Sequence, residues 1–267
     1  MIERLLVVKL DVAECEAQAW LNGLPVLRAG PDEPHAVVAV NEFTLAGQNR
    51  LDLCIWPPAA GAAETPPRTV QANGRAWAHV RLLLPRVGQP VDEASARTLG
   101  EIPWAPPAGT PHEAPLWLSL DLSLPLGFPR WRWLDAPVIE PAAASAQAAF
   151  AYLRPLADAL AAGDPEPYLA ATRWRIEELA VAYQRDARDD LRLLRQQWQR
   201  LHETGALNWL PLTAEELLLR RVAGGRLLEC LAPGGLPFLQ TAADDLGRSL
   251  SVPMRLAWVE GKFYGLR

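Results

Sequence analysis

Leu116-Trp117-Leu118-Ser119-Leu120-Asp121-Leu122-Ser123-Leu124 alternates strictly, with leucine at every even position and a polar or aromatic residue at every odd one. Side chains of an extended strand point to opposite faces in turn. This stretch therefore predicts a strand with one apolar face. Ala17 to Leu21, Asn22-Gly23 and Leu24 to Leu27 predict a hairpin, because Asn-Gly adopts the positive φ angles of a tight I′ turn at low cost. Leu5 to Val12, Val37 to Val40, Leu51 to Trp56 and Ala76 to Leu84 supply further short strands, with the turn-rich Ala46-Gly47-Gln48-Asn49 before the third of these. Many short strands separated by turns predict an all-β sandwich over residues 1–125. The proline- and glycine-rich residues 57–75 and 100–115 read as surface loops.

Two of these segments carry a resemblance. Trp20-Leu21-Asn22-Gly23-Leu24-Pro25-Val26, followed by Ala46-Gly47-Gln48-Asn49-Arg50-Leu51-Asp52-Leu53, resembles the galactose-binding-like jelly-roll domain. The resemblance implies a sandwich that binds carbohydrate or another protein, and it carries over no catalytic residue.

Proline divides the chain: 18 of 25 prolines fall in residues 1–144. Residues 126–144 read as a connection to a second domain over 145–267. Within it Trp131 and Trp133 alternate with Arg130 and Arg132. That pattern fits an aromatic and basic binding platform, and it fits equally an extended segment burying its indoles, which is the simpler reading. Beyond it the period changes to helical. Ser145 to Ala162 reads as a helix capped by Ser145 and kinked by Pro155. Asp164-Pro165 opens a second helix running to about Glu203, with Ile176, Leu179, Tyr183, Ala187, Leu191, Leu194, Trp198 and Leu201 as one stripe. A break near Asp189-Asp190 is left open.

Strand-like runs then follow, with turns at Gly224-Gly225, Pro233-Gly234-Gly235 and Glu260-Gly261. The expected second domain is α+β, with long helices packed on a curved antiparallel sheet and with Trp209 and Trp258 lining the same region as the stripe. Gly224-Gly225-Arg226-Leu227-Leu228, Pro233-Gly234-Gly235 and Trp258-Val259-Glu260-Gly261-Lys262-Phe263-Tyr264 resemble the cone-shaped ketosteroid-isomerase-like and nuclear-transport-factor-like proteins. That family implies a pocket used by enzymes and non-enzymes alike.

The 267 residues carry a net charge of -5, with 31 acidic and 26 basic side chains, of which only Lys9 and Lys262 are lysine. This balance argues against a nucleic-acid partner. No apolar run reaches 18 residues, which argues against a membrane partner. The N-terminal Met1 to Val8 reads as a strand and not as a signal peptide, so a cytoplasmic location is expected. Cys15, Cys54 and Cys230 form no CxxC pair and read as buried free thiols.

No phosphate loop, dinucleotide fingerprint, HExxH or GxSxG pattern occurs. His35, His79, His112 and His202 are too dispersed to suggest a metal centre. His202 reads as a helix-end cap, and Asp244-Asp245 as a loop or helix start. An isomerase-type site needs a carboxylate base and a hydroxyl for an oxyanion; Tyr183 and Glu229 are the one pair that could supply them, and each has a structural role open to it. The binding candidates are Trp131, Trp133, Trp209 and Trp258. No cofactor is expected. The reading that follows is a non-catalytic role in binding a small ligand or another protein. The alternatives are a small-molecule enzyme using the C-terminal pocket and a carbohydrate-binding module using the sandwich.

Overall fold

The computed structural model describes residues 5–57, 68–86, 96–139, 143–244 and 247–267. It is a strand-rich mixed fold in which the paired strands are antiparallel and four α-helices precede the last sheet. Contacts divide the chain into two units, Met1–Arg130 and Trp131–Arg267.

The first unit contains strands β1 (Val7–Ala13), β2 (Glu16–Leu21), β3 (Leu24–Ala29), β4 (His35–Ala39), β5 (Gly47–Trp56), β6 (Arg68–Gln71), β7 (Trp77–Leu84), β8 (Arg97–Trp104), β9 (Pro111–Ala114) and β10 (Leu116–Leu124). They form two four-stranded sheets, ordered β4-β1-β7-β8 and β10-β5-β2-β3, and a short β6-β9 ladder. Leu10 and Val80 from the first sheet meet Ala19, Leu53 and Leu122 from the second in one buried cluster. On β10 the odd positions Trp117, Ser119, Asp121 and Ser123 are exposed, as the alternation requires.

The Asn22-Gly23 turn forms as expected, with φ of 55° and 75°. Asn22 Nδ2 donates to the Phe43 carbonyl and to Asn49 Oδ1, each at 2.8 Å, and Asn22 Oδ1 accepts from the Arg50 amide. Asn49 Oδ1 also accepts from the Leu45 amide, and its Nδ2 donates to the Leu45 and Gly47 carbonyls. The two asparagines thus tie the β2–β3 turn to the entry of β5.

Residues 100–115 are not a loop, since most of β8 and all of β9 lie there. Pro103 is accommodated because β8 is an edge strand, where a missing N–H need not break a ladder. Of residues 57–75, β6 occupies 68–71, and residues 58–67 lie outside the described set.

The second unit contains α1 (Ala143–Ala161), α2 (Glu166–Ala171), α3 (Arg173–Ala182) and α4 (Ala187–Glu203), then β11 (Leu218–Val222), β12 (Leu227–Leu231), β13 (Leu239–Gln240), β14 (Ser251–Val252), β15 (Arg255–Val259) and β16 (Lys262–Gly265). The last sheet runs β11-β12-β15-β16, and β13 pairs with β14. Within the expected connection, Arg132–Asp135 forms one turn of 3-10 helix, while residues 140–142 lie outside the described set.

Three helical expectations change. Ser145 is inside α1 and does not cap it, and α1 continues through Pro155. Pro155 and Ala151, whose carbonyl loses its amide partner, are both on the exposed face, so water can replace the missing bond. The buried stripe Ala149, Leu153, Leu156 and Leu160 holds the helix together by packing.

The predicted second helix is three helices. It breaks first at Thr172, whose hydroxyl donates back to the Tyr168 carbonyl at 2.8 Å. It breaks again after Tyr183, where Gln184 takes φ of 52°. Asp186 then caps α4, accepting from the Arg188 amide at 2.7 Å. Asp189 and Asp190 mark the first turn of α4 and not a break, where their charge favours the helix dipole.

The stripe divides accordingly. Leu191, Leu194 and Trp198 join the main cluster, whereas Tyr183 is the C-cap of α3. α4 packs mainly on α3 and less on α1 and α2, and Trp198 meets Tyr168 edge-on at 5.1 Å. Phe263 and Tyr264 are adjacent on β16 and so face opposite sides of the sheet. Tyr152 of α1 meets Phe263, and Trp174 of α3 stacks on Tyr264 at 4.3 Å. Helices therefore reach both faces of this edge strand.

Candidate functional site

At one end of the first unit, the β1–β2 turn, the end of β5, the β6-β9 ladder and residues 72–76 enclose a cleft of about 80 Å³ that opens to solvent. Ile55, Val70, Ala72, Ala76 and Trp104 give it apolar walls, and Glu14, Gln71, Asn73, Trp56 and His112 bring the polar groups. The register of the ladder sets Val70 opposite His112. Trp104, at the end of β8, meets the His112 ring edge-on at 5.4 Å.

The lip is built by local geometry. Glu14 occupies the left-handed region at φ 49°, a conformation that costs a non-glycine residue energy and persists only where its surroundings hold it. Its carboxylate accepts from Asn73 Nδ2 at 2.7 Å. Asn73 Oδ1 accepts from the Arg75 and Ala76 amides, each at 2.8 Å, an Asx turn that fixes the side chain. Ala72 exchanges backbone hydrogen bonds with Thr110 and Gly109. Gly74 sits at φ 75°, and a Cβ there would fall 2.9 Å from Ala108 Cβ, so both the turn and the close approach require glycine.

Two nitrogens of the cleft residues are buried without a hydrogen-bond partner: Trp56 Nε1 and His112 Nδ1. Trp56 is only 3% exposed. A buried N–H lacking a partner costs about 1–3 kcal/mol of desolvation. Trp133 Nε1 and Trp198 Nε1 share this state, but neither residue lines the cleft. Both nitrogens of the cleft residues lie beneath its surface.

Cys15 also lines the cleft. Burial pushes its thiol up to about 11, against a hydrogen bond at Ala13, and its Sγ donates to the Trp77 carbonyl. It is a protonated wall residue at neutral pH and not a thiolate nucleophile. Burial likewise raises the Cys230 thiol, and all three cysteines are buried and outside any disulfide. Among the described residues no group of three or more histidine, cysteine and acidic side chains is placed to hold a metal ion. No helix among them is long and apolar enough to cross a membrane.

None of the catalytic or binding candidates nominated from the sequence lines this cleft, whereas Cys15 and His112, given no site role there, do. Trp131 is buried under the Arg267 guanidinium, 5.3 Å from its ring, and Trp133 is buried as well. Trp209 Nε1 donates to the Ala157 carbonyl at 2.9 Å, tying residue 209 to α1. Trp258 is 36% exposed and meets Phe263 edge-on across the β15–β16 hairpin. Tyr183 lies beneath the Arg185 guanidinium at 5.2 Å. Glu229 sits between cross-strand neighbours Arg220 and Arg255, with one carboxylate oxygen on each. The structure does not join it to Tyr183 by a hydrogen bond: its carboxylate is occupied by the two guanidinium groups.

His202 Nδ1 lies 3.0 Å from the Ala161 carbonyl, so it caps the end of α1 as well as standing in the last turn of its own helix. Asp244 pairs with Arg248, and Asp245 lies outside the described residues.

The residues of the cleft were missed because they come from five separated stretches and form no pattern along the chain. His112 and Trp104 fall in the segment read as a loop, which hid their placement on strands. Comparison with protein-family models, with curated proteins and with solved structures finds no match.

Proposed function

We propose that this chain is a non-catalytic binding protein whose first unit takes a small ligand in the Trp56–Trp104–His112 cleft. The observation that carries the reading is a solvent-open cleft with apolar walls from Ile55, Val70, Ala72 and Trp104 and a polar lip at Glu14 and Asn73. The cleft combines apolar walls with a few polar groups, as small-molecule sites do. The scaffold is a β-sandwich over residues 1–125, joined through 126–144 to the α+β domain of 145–267. The single cluster shared by two four-stranded sheets supports the sandwich. Three buried cysteines outside any disulfide support a cytoplasmic setting.

The enzyme alternative has less support. Glu229, its base, is held by two arginines, and the thiol in the cleft is kept protonated by burial.

The test is a nuclear magnetic resonance screen of a small-fragment library against the 15N-labelled chain. Fragments that shift the Trp56 indole and His112 ring signals together are expected. A library that moves neither signal, or that moves only signals of the second unit, sinks the reading.

A further inference from the structure

The edges of the two four-stranded sheets in the first unit are not alike. An edge strand exposes backbone groups that can template pairing with another chain, and folded proteins blunt such edges with short length, proline, charge or bulges. β4 has only five residues. β3 contains Pro25 and Arg28, and its pairing with β2 shifts register at Ala19/Trp20. β8 contains Pro103, and its pairing with β7 shifts register at Leu82/Leu83. β10 has none of these devices. It runs for nine residues with no proline, no basic residue and a single acid, in unbroken register with β5 from Leu116 to Leu124. We infer that β10 is a self-association edge: two copies of this chain pair their β10 strands antiparallel about a two-fold axis at Leu120, joining the β10-β5-β2-β3 sheets of both copies into one.

The direction of the free backbone groups follows from the pairing inside the sheet. The Arg50 carbonyl accepts from the Asn22 amide, next to the end of β2, at 2.8 Å. Each residue of an antiparallel strand turns its N–H and C=O to one side, and the side alternates along the strand. Arg50 and Asp52 therefore serve β2, whereas Asn49, Leu51, Leu53 and Ile55 serve β10. Their partners on β10 are Leu122, Leu120, Leu118 and Leu116. The N–H and C=O groups of Trp117, Ser119, Asp121 and Ser123 point away from β5. All four residues are exposed, and these backbone groups have no partner among the described residues.

The sequence of β10 complements itself in one register. With Leu120 of one copy opposite Leu120 of the other, Leu118 faces Leu122 and Leu116 faces Leu124, so every leucine meets a leucine on the inner side. Leu116, Leu118 and Leu120 are only half-buried where they pack against the core cluster. The leucines of the second copy cover them, and burial of that hydrocarbon favours the pair. Ser119 faces Asp121 and Trp117 faces Ser123. These are the outward-pointing residues, so each such pair exchanges two backbone hydrogen bonds. Like charges directly opposite one another destabilise a sheet, and here Asp121 faces a serine. Moving the axis to Asp121 sets two carboxylates face to face and leaves Leu116 and Trp117 unpaired.

The experiment measures the mass of the full chain by sedimentation equilibrium over a range of concentrations. A concentration-dependent dimer is expected. Asp121→Pro deletes an outward N–H and leaves the β5 ladder intact, as proline at an edge can. It removes two hydrogen bonds per dimer, so the dissociation constant should rise about thirtyfold, at roughly fivefold per bond. Circular dichroism should show the fold of the variant unchanged.

Cross-linking tests the register without relying on the proline variant. Oxidation of Leu120→Cys should join the dimer through a disulfide, because directly opposed positions lie within reach of one. Leu116→Cys should not cross-link, because its two positions are about 27 Å apart along the strands in this register. A wild type that stays monomeric at its highest soluble concentration overturns the proposal and leaves a strand of a different protein as the occupant of the edge. A dimer that a folded Asp121→Pro leaves intact, or cross-linking of Leu116→Cys in place of Leu120→Cys, overturns it as well.

Discussion

The cleft of the first unit and the buried ion pairs of the second treat polar side chains in opposite ways. In the second unit Glu229 gives an oxygen to each of Arg220 and Arg255. Glu178 accepts from the Arg132 amide with one oxygen and from Arg267 with the other. Each buried carboxylate there is matched on both oxygens, which is what a structural role demands. In the cleft residues, Trp56 Nε1 and His112 Nδ1 are buried without such matching. The contrast teaches that burial of a polar residue does not by itself mark a site.

The comparison can be broken most easily in the second unit. Glu229→Ala leaves Arg255 charged and buried between strands, and breaking a buried pair in this way costs about 3–5 kcal/mol. Chemical denaturation should show a loss of that size. A loss under about 1 kcal/mol would mean that the carboxylate is not structural, and the enzyme alternative would regain ground. Trp198→Ala should cost a similar 3–5 kcal/mol, since the ring is buried against Tyr168. Fragment binding at the Trp56 signal should persist wherever this variant is folded.

Smaller effects sharpen the other side. Asn49→Ala removes the acceptor for Leu45 and Asn22 at the entry of β5. The expected cost is about 1–3 kcal/mol, read as a lower melting temperature.

Asp11 supplies a pH test. Burial pushes its carboxyl up, but hydrogen bonds from His35 and Arg81, with the charges of Lys9 and Arg81, outweigh this and hold it below its ordinary value. A carboxyl depressed in the folded state contributes stability that is complete above the unfolded-state pKa, about 4. That contribution is lost as pH falls through the folded value. The stability difference between the wild type and Asp11→Asn should therefore be constant near neutrality and shrink below about pH 4. A difference that grows on acidification would contradict the assignment.

The smallest effect belongs to the cleft. Trp56→Phe deletes an N–H that bonds to nothing in the protein, so no hydrogen bond is lost and the remaining cost is packing. The melting transition should move by less than that of Asn49→Ala, despite the deep burial of Trp56. A loss as large as that of Trp198→Ala would show that Trp56 is a core residue and not part of a site.

Local pattern made much of the strand content legible. The alternation of β10, the Asn22-Gly23 turn and the Glu260-Gly261 turn each depend on residues next to one another in the chain. β8 and β9 were hidden by proline, because whether Pro103 is tolerable depends on its lying in an edge strand, a property of the sheet and not of the segment. The run from Asp164 to Glu203 read as one helix because its apolar spacing is continuous. The breaks at Thr172 and Gln184 come from backbone conformations that spacing does not encode.

Period-two and helical spacing, turn chemistry, net charge and the scatter of the cysteines were settled by the order of amino acids, since each is a property of neighbouring residues or of composition. The pairing of Glu229 with two arginines and the meeting of Glu14, Trp56, Trp104 and His112 were decided only when the chain folded. Hydrogen-bond satisfaction is a relation between groups distant in the chain, and a side chain's role as prop or recognition group turns on which partners the fold brings within 3 Å of it.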